Sequence, residues 1–185
     1  MKLLIIGLLF ININITVDVN QVVSTYHYLN LVPTFVGCLL VSLGCRSLAK
    51  ESLWFRSTKT KIVNLVSLIL ALAENAIMLY IGDDYLWVQL FYVVCSFFYY
   101  YQMYIISRGI IDMDEGYALN TNARFLLTLL IIMVVFEASS YIIAYLLPKF
   151  GIIAYFFTVG VVFIICLFVG KLYLINKEYK KYLAE

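Results

Sequence analysis

In 185 residues, 64% are hydrophobic and 13% charged, against about 45–50% and about 25% in ordinary soluble domains. A soluble domain of this length cannot bury so much apolar surface, because the fraction buried on folding is limited by size. A formal charge of +2, carried by basic residues beside apolar runs, excludes the strongly basic balance of a nucleic-acid binder, and the length leaves room for one domain, residues 1–185.

Six apolar runs read as transmembrane helices, at about 3–20, 31–49, 62–81, 86–107, 124–146 and 151–174. The expected fold is an all-α polytopic membrane helix bundle, six transmembrane helices arranged as three hairpins with the first two short. The last four runs are long enough, at ~1.5 Å per residue, to cross a ~30 Å hydrocarbon core. The first two are weaker: Leu3 to Val17 and Leu31 to Cys45 hold 15 residues each. A hairpin that only partly crosses, or five spans plus an interfacial segment, is the alternative.

The first run, Met1-Lys2 followed by Leu3 to Ile11, mimics a signal peptide. The Asn12-Ile13-Asn14-Ile15-Thr16-Val17 stretch that follows lacks the small residues of a cleavage site, so it reads as a retained span. Asn14-Ile15-Thr16 matches a glycosylation sequon but abuts the membrane and carries no weight. His27, in the outer segment 16–30, reads as an interfacial residue. Pro33 suits the first turn of the second helix.

That second helix carries Cys38, Ser42, Cys45 and Ala49 at 4-3-4 spacing beside Gly37 and Gly44. Small residues on one face let helix backbones approach closely in lipid, so Gly37, Cys38, Ser42, Cys45 and Ala49 form the expected packing face. Cys38 and Cys45 are two turns apart, ~10.5 Å along the axis, too far for a disulfide. The four cysteines contain no C-x-x-C pair and point to no metal site.

The run Leu31-Val32-Pro33-Thr34-Phe35-Val36-Gly37, continuing to Leu43-Gly44 and Leu48 with Ser52 and Phe55 beyond, carries a resemblance. It resembles uncharacterised small integral membrane proteins of low-GC Gram-positive bacteria with an N-terminal L-P-x-F-x-G helix start. Their usual Asp and Tyr are here Thr34 and Cys38. The resemblance implies a bacterial cytoplasmic (inner) membrane and transfers no functional residue.

Under the six-span reading 12 of the 13 Lys and Arg fall on one side. They are Lys2; Arg46, Lys50, Arg56, Lys59 and Lys61; Arg108 and Arg124; and Lys171, Lys177, Lys180 and Lys181. Lys149, in the turn Pro148-Lys149-Phe150-Gly151, stands opposite, and the other outer turn, Gly82-Asp83-Asp84-Tyr85, is acidic. Cationic loops stay in the cytoplasm, so both termini are expected inside. Trp54 and Phe55, among the cations of loop 46–61, are expected at the cytoplasmic interface.

Glu74 and Glu137 are the sharpest chemical features. Each lies 12 residues after the cytoplasmic start of its span, ~18 Å along the axis. A carboxylate at that depth costs ~2.5–3.5 kcal/mol on insertion scales and is expected to face the interior. Asn64, Ser67, Ala71, Glu74 and Met78 share one helical face, with Asn75 beside Glu74; Met133, Ser140, Tyr141 and Ala144 accompany Glu137. Glu74, Glu137, Asn75, Ser140 and Tyr141 are thus the candidate ligand, proton or cation site. The ordinary alternative is a hydrogen-bonded Glu that glues helices together.

Two further groups read as structural. The aromatic inner half of the fourth span, Phe97 to Tyr101 with Tyr104, suits packing and interfacial anchoring. Asp112-Met113-Asp114-Glu115-Gly116 fails the calcium-loop pattern, with its Gly at position 5 and Ala123 at position 12, and reads as a solvated acidic turn in loop 108–123. Asn120, Thr121 and Asn122 offer caps for the fifth span.

The expected role is a small transport or substrate-binding module with a buried carboxylate pair. Six spans in this length are similar in architecture to energy-coupling-factor binding subunits, although their A-x-x-x-A docking signature is absent. The alternative is a non-catalytic membrane interaction or accessory protein. No nucleophile elbow, zinc helix or phosphate loop is present, so an enzyme is not expected. Neither a cofactor nor a metal is implied. The expected partners are the lipid bilayer and a membrane protein or a second copy, not nucleic acid.

Overall fold

The computed structural model describes residues 1–12, 16–18, 28–30, 34–81, 85–146, 149 and 151–184. Asn14, Ile15, His27, Leu31 to Pro33, Gly82, Asp83, Asp84 and Pro148 lie outside the described residues. Helices dominate: α1 (Lys2–Asn12), α2 (Thr34–Ser47), α3 (Leu53–Arg56), α4 (Thr58–Tyr80), α5 (Leu86–Gly116), α6 (Phe125–Leu146) and α7 (Gly151–Tyr182). Two three-residue strands, β1 (Thr16–Asp18) and β2 (Tyr28–Asn30), pair antiparallel with Val17 opposite Leu29.

Four of these helices, α4 to α7, are long and apolar enough to cross a membrane. The expectation of six spans is corrected to four. α1 has 11 residues and α2 has 14, only ~16 and ~21 Å long against a ~30 Å core. α1 stops at Asn12, whose side-chain amide turns back to the Leu8 carbonyl at 2.7 Å. Beyond it Ile13, Ile15, Thr16 and Val17 are β-branched and disfavour helix, and residues 16–18 are extended.

The chain divides into two compact units, Met1–Gly109 and Ile110–Glu185. In the first, α1 and α2 pack antiparallel at backbone contact. A Cβ on Gly37 would stand 2.7 Å from the Ile11 nitrogen and 2.8 Å from the Gly7 carbonyl oxygen; one on Gly44 would stand 2.8 Å from the Leu4 nitrogen. Within the expected packing face Gly37, Cys38 and Cys45 are buried, whereas Ser42 and Ala49 are half-buried. The close approach runs through Gly37, Val41 and Gly44.

α4 is polar inside and apolar outside. Thr60, Asn64, Ser67 and Ala71 are buried, while Ile62, Leu65, Ile69 and Leu72 are exposed on another face. In water such a helix would present its apolar side to solvent at a large cost; in lipid the arrangement is favourable. α7 repeats the outward apolar pattern with Ile152, Phe156, Val159 and Phe163.

In the second unit α6 and α7 pack antiparallel, with the Phe136 and Phe157 rings edge-on at 5.2 Å. The loop expected at 108–123 is shorter, because α5 continues to Gly116. Its apolar spacing explains this: Met103, Ile106, Ile110 and Met113 are all buried. Likewise α7 passes its expected end at 174 and reaches Tyr182, carried by buried Leu172, Ile175 and Tyr179. Asp114, expected in a solvated turn, instead ties down the residues after α5. Its carboxylate accepts from the Thr121 N–H at 3.0 Å, the Thr121 hydroxyl at 2.7 Å and the Ala123 N–H at 3.3 Å. Asn120 and Asn122, expected as caps, take left-handed backbone with φ of 53° each, a conformation Asn tolerates well.

Candidate functional site

The first unit carries a polar seam where α2, α4 and α5 meet. Its lower rung is a buried amide pair: the Gln102 Nε2 donates to the Asn64 Oδ1 at 2.8 Å. The Asn64 amide N–H also faces the sulfur of Cys45, buried on α2. One turn along α4 the Ser67 hydroxyl is fully buried, and neither it nor the Gln102 Oε1 has a hydrogen-bond partner among the described residues.

The upper rung holds the carboxyl group. The Tyr99 hydroxyl donates to the Glu74 Oε2 at 2.6 Å, at the short end of the range for O–H···O bonds. Cys38 from α2 and Cys95 from α5 are buried in the same unit. The other Glu74 oxygen makes no hydrogen bond among the described residues. Glu74 is half-buried, so the site holds an acceptor that its neighbours do not saturate. From Asn64 to Glu74 is ten residues, ~15 Å along the helix, so the rungs are successive stations and not one coordination sphere.

The other expected site residues have no described bond to this seam. Asn75 spends its side-chain amide on the Ala71 carbonyl of its own helix at 2.8 Å. Glu137, Ser140 and Tyr141 belong to the second unit and are half-buried there. Ser140 joins α6 to α7: its hydroxyl pairs with that of Thr158 at 2.9 Å and donates to the Ala154 carbonyl at 3.2 Å. That is the helix-gluing use of a membrane hydroxyl.

Tyr99 enters the sequence reading only as part of the aromatic run Phe97 to Tyr101, and neither Gln102 nor Cys95 is named there as a site residue. A signal exists in retrospect. Cys95, Tyr99 and Gln102 follow 4-3 spacing, and an antiparallel pairing of α4 with α5 brings Gln102 to Asn64. Comparisons with protein-family models, curated proteins and solved structures find no match.

Proposed function

We propose that this membrane protein is a small transport or substrate-binding module whose polar seam takes up a proton or a small cation at Glu74. The observation that carries the reading is the Tyr99–Glu74 hydrogen bond within a membrane-length helix pair. A carboxyl group there is costly, and a phenol partner leaves it free to gain or lose charge by exchanging one proton. At the lower station the buried Ser67 hydroxyl and the Gln102 carbonyl supply oxygen acceptors of the type hard cations use. Glu137 is the second carboxylate of the proposal, in its own unit.

The accessory-protein reading relied on the small-residue face of α2 as a docking surface. Gly37 and Gly44 are already occupied by α1, which favours the module.

The proposed setting is a bacterial cytoplasmic membrane with both termini inside. This rests on the distribution of Lys and Arg and on the L-P-x-F-x-G resemblance. A short α1–α2 hairpin returns to the side it entered, so replacing six spans by four leaves the parity of the charge count unchanged. Single cysteines at Lys149, in a chain lacking its native thiols, are expected to label from outside intact cells. Those at Lys59 and Lys180 are expected to label only after permeabilisation; outside labelling at Lys180 would overturn the orientation.

The function itself is tested in proteoliposomes. A pH or monovalent-cation gradient should drive a flux, or a saturable cation-binding signal, in the native protein. Glu74→Gln should retain the helical circular dichroism and lose the response. An unchanged response in Glu74→Gln would sink the proposal.

A further inference from the structure

The elbow between α2 and α4 has a surface that its own fold does not explain. Arg46, Lys50, Arg56, Lys59 and Lys61 are all exposed, and none of their side chains makes an ion pair or hydrogen bond among the described residues. Five cations in 16 residues face one carboxylate, Glu51. In their midst Leu53 is 76% exposed.

This exposure belongs to a pinned element. The Ser52 side chain accepts from the Trp54 N–H at 3.1 Å, and the Ser57 hydroxyl donates to the Trp54 carbonyl at 2.8 Å. Phe55 is 2% exposed, its ring seated on Gly109, where any Cβ would stand 2.5 Å from the ring. The Arg108 guanidinium lies over the Trp54 ring at 5.1 Å. Phe55 and Trp54 therefore fix α3, and the fixed orientation sends Leu53 outward among the cations. A rigid mount that exposes one large apolar side chain inside a basic ring matches the interfacial layer of a bilayer, where acyl chains and anionic headgroups lie within a few ångströms of each other.

We infer that the α2–α4 elbow is a binding surface for anionic phospholipid headgroups, with Leu53 inserted among their acyl chains. Its position supports that occupant over a soluble one. The elbow directly precedes α4, a membrane-length helix beginning at Thr58, so its cations stand at the level where lipid phosphates end. Orientation during insertion would account for the charges but not for the pinned, exposed leucine. The inference is independent of the Glu74 seam.

The two tryptophans make the test direct. Trp87→Phe leaves Trp54 as the sole reporter in the full-length chain. The protein is placed in phosphatidylcholine nanodiscs carrying a minor fraction of brominated phosphatidylglycerol or, in a parallel sample, brominated phosphatidylcholine. The expected result is stronger quenching of Trp54 by the anionic lipid, weakened by salt. Neutralising Lys59 and Lys61 to Gln should lower the preference roughly fivefold per charge, whereas Lys59→Arg with Lys61→Arg should retain it. A Leu53→Ser chain should lose quenching by both lipids. Three results would overturn the inference: equal quenching by the two lipids, a preference indifferent to the Gln substitutions in a folded chain, or its removal by soluble glycerophosphate at equal concentration. The last would mean that a free phosphate is recognised and not a lipid.

Discussion

Gly37→Ala should destabilise the protein by ~1–3 kcal/mol, the range for overpacking a filled contact. Helix propensity alone sets the opposite sign, since Ala is better than Gly in a helix interior by ~1 kcal/mol. Steric contact wins because the atoms that the new methyl meets are the Ile11 nitrogen, at 2.7 Å, and the Gly7 carbonyl oxygen, at 2.8 Å. Backbone of a packed helix cannot swing aside as a side-chain tip does, so the α1–α2 hairpin must spread along its length. Gly170→Ala is the matched control. A Cβ there meets nothing within 4 Å, and the substitution should be neutral or stabilising by up to ~1 kcal/mol. Thermal melting of both variants in one detergent decides the point. Shifts of the same sign would remove the close-packed hairpin from the account.

Gln102→Leu should cost ~1–3 kcal/mol, the penalty for leaving a buried polar group unsatisfied. Gln102 is 1% exposed and Asn64 5%, and their 2.8 Å bond is the one described cross-helix partner of the Gln102 side chain. Removing the donor leaves the buried Asn64 oxygen with no other hydrogen-bond partner among the described residues. Adding Asn64→Val should recover most of the loss, because replacing both partners by apolar groups costs far less than orphaning one. The double-mutant cycle measured by equilibrium unfolding should therefore give a clear coupling energy. Strict additivity would mean that the amides do not interact.

The sequence reading and the structure agree where the physics is one-dimensional. α4 to α7 were legible because each contains an apolar run long enough for a bilayer, a property of length and composition. The first two segments were not, because a 15-residue run broken by polar residues is compatible with a short span or a partial hairpin, and the β-branched residues after Asn12 decide the matter locally. The ends of α5 and α7 were placed too early, since Asp112, Glu115, Lys177 and Lys180 resemble loop chemistry. The stripes through Ile110 and Met113, and through Leu172, Ile175 and Tyr179, keep the helical period beneath those charges.

The site was half legible for a related reason. Glu74 announced itself by the cost of a carboxylate at membrane depth, and Asn64 and Ser67 by sharing its face. Tyr99 and Gln102 sit in a helix with aromatic residues on every side, where no single face stands out. Choosing among those faces needs the position of a partner helix. Tyr99 in particular reaches along α4, beyond the residue that simple antiparallel counting would set opposite it.

The central claim is that the Glu74 carboxyl changes its charge within the folded protein. Infrared difference spectroscopy on the full-length chain in lipid measures this directly, with the Glu74 band assigned by its loss in Glu74→Gln. The account predicts a carboxyl band that interconverts with a carboxylate band as pH is varied across the range in which helical structure is kept, and that moves in Tyr99→Phe when the phenol bond is removed. A Glu74 band that holds one form throughout that range, unmoved by sodium or potassium and by the loss of the Tyr99 hydroxyl, would contradict it.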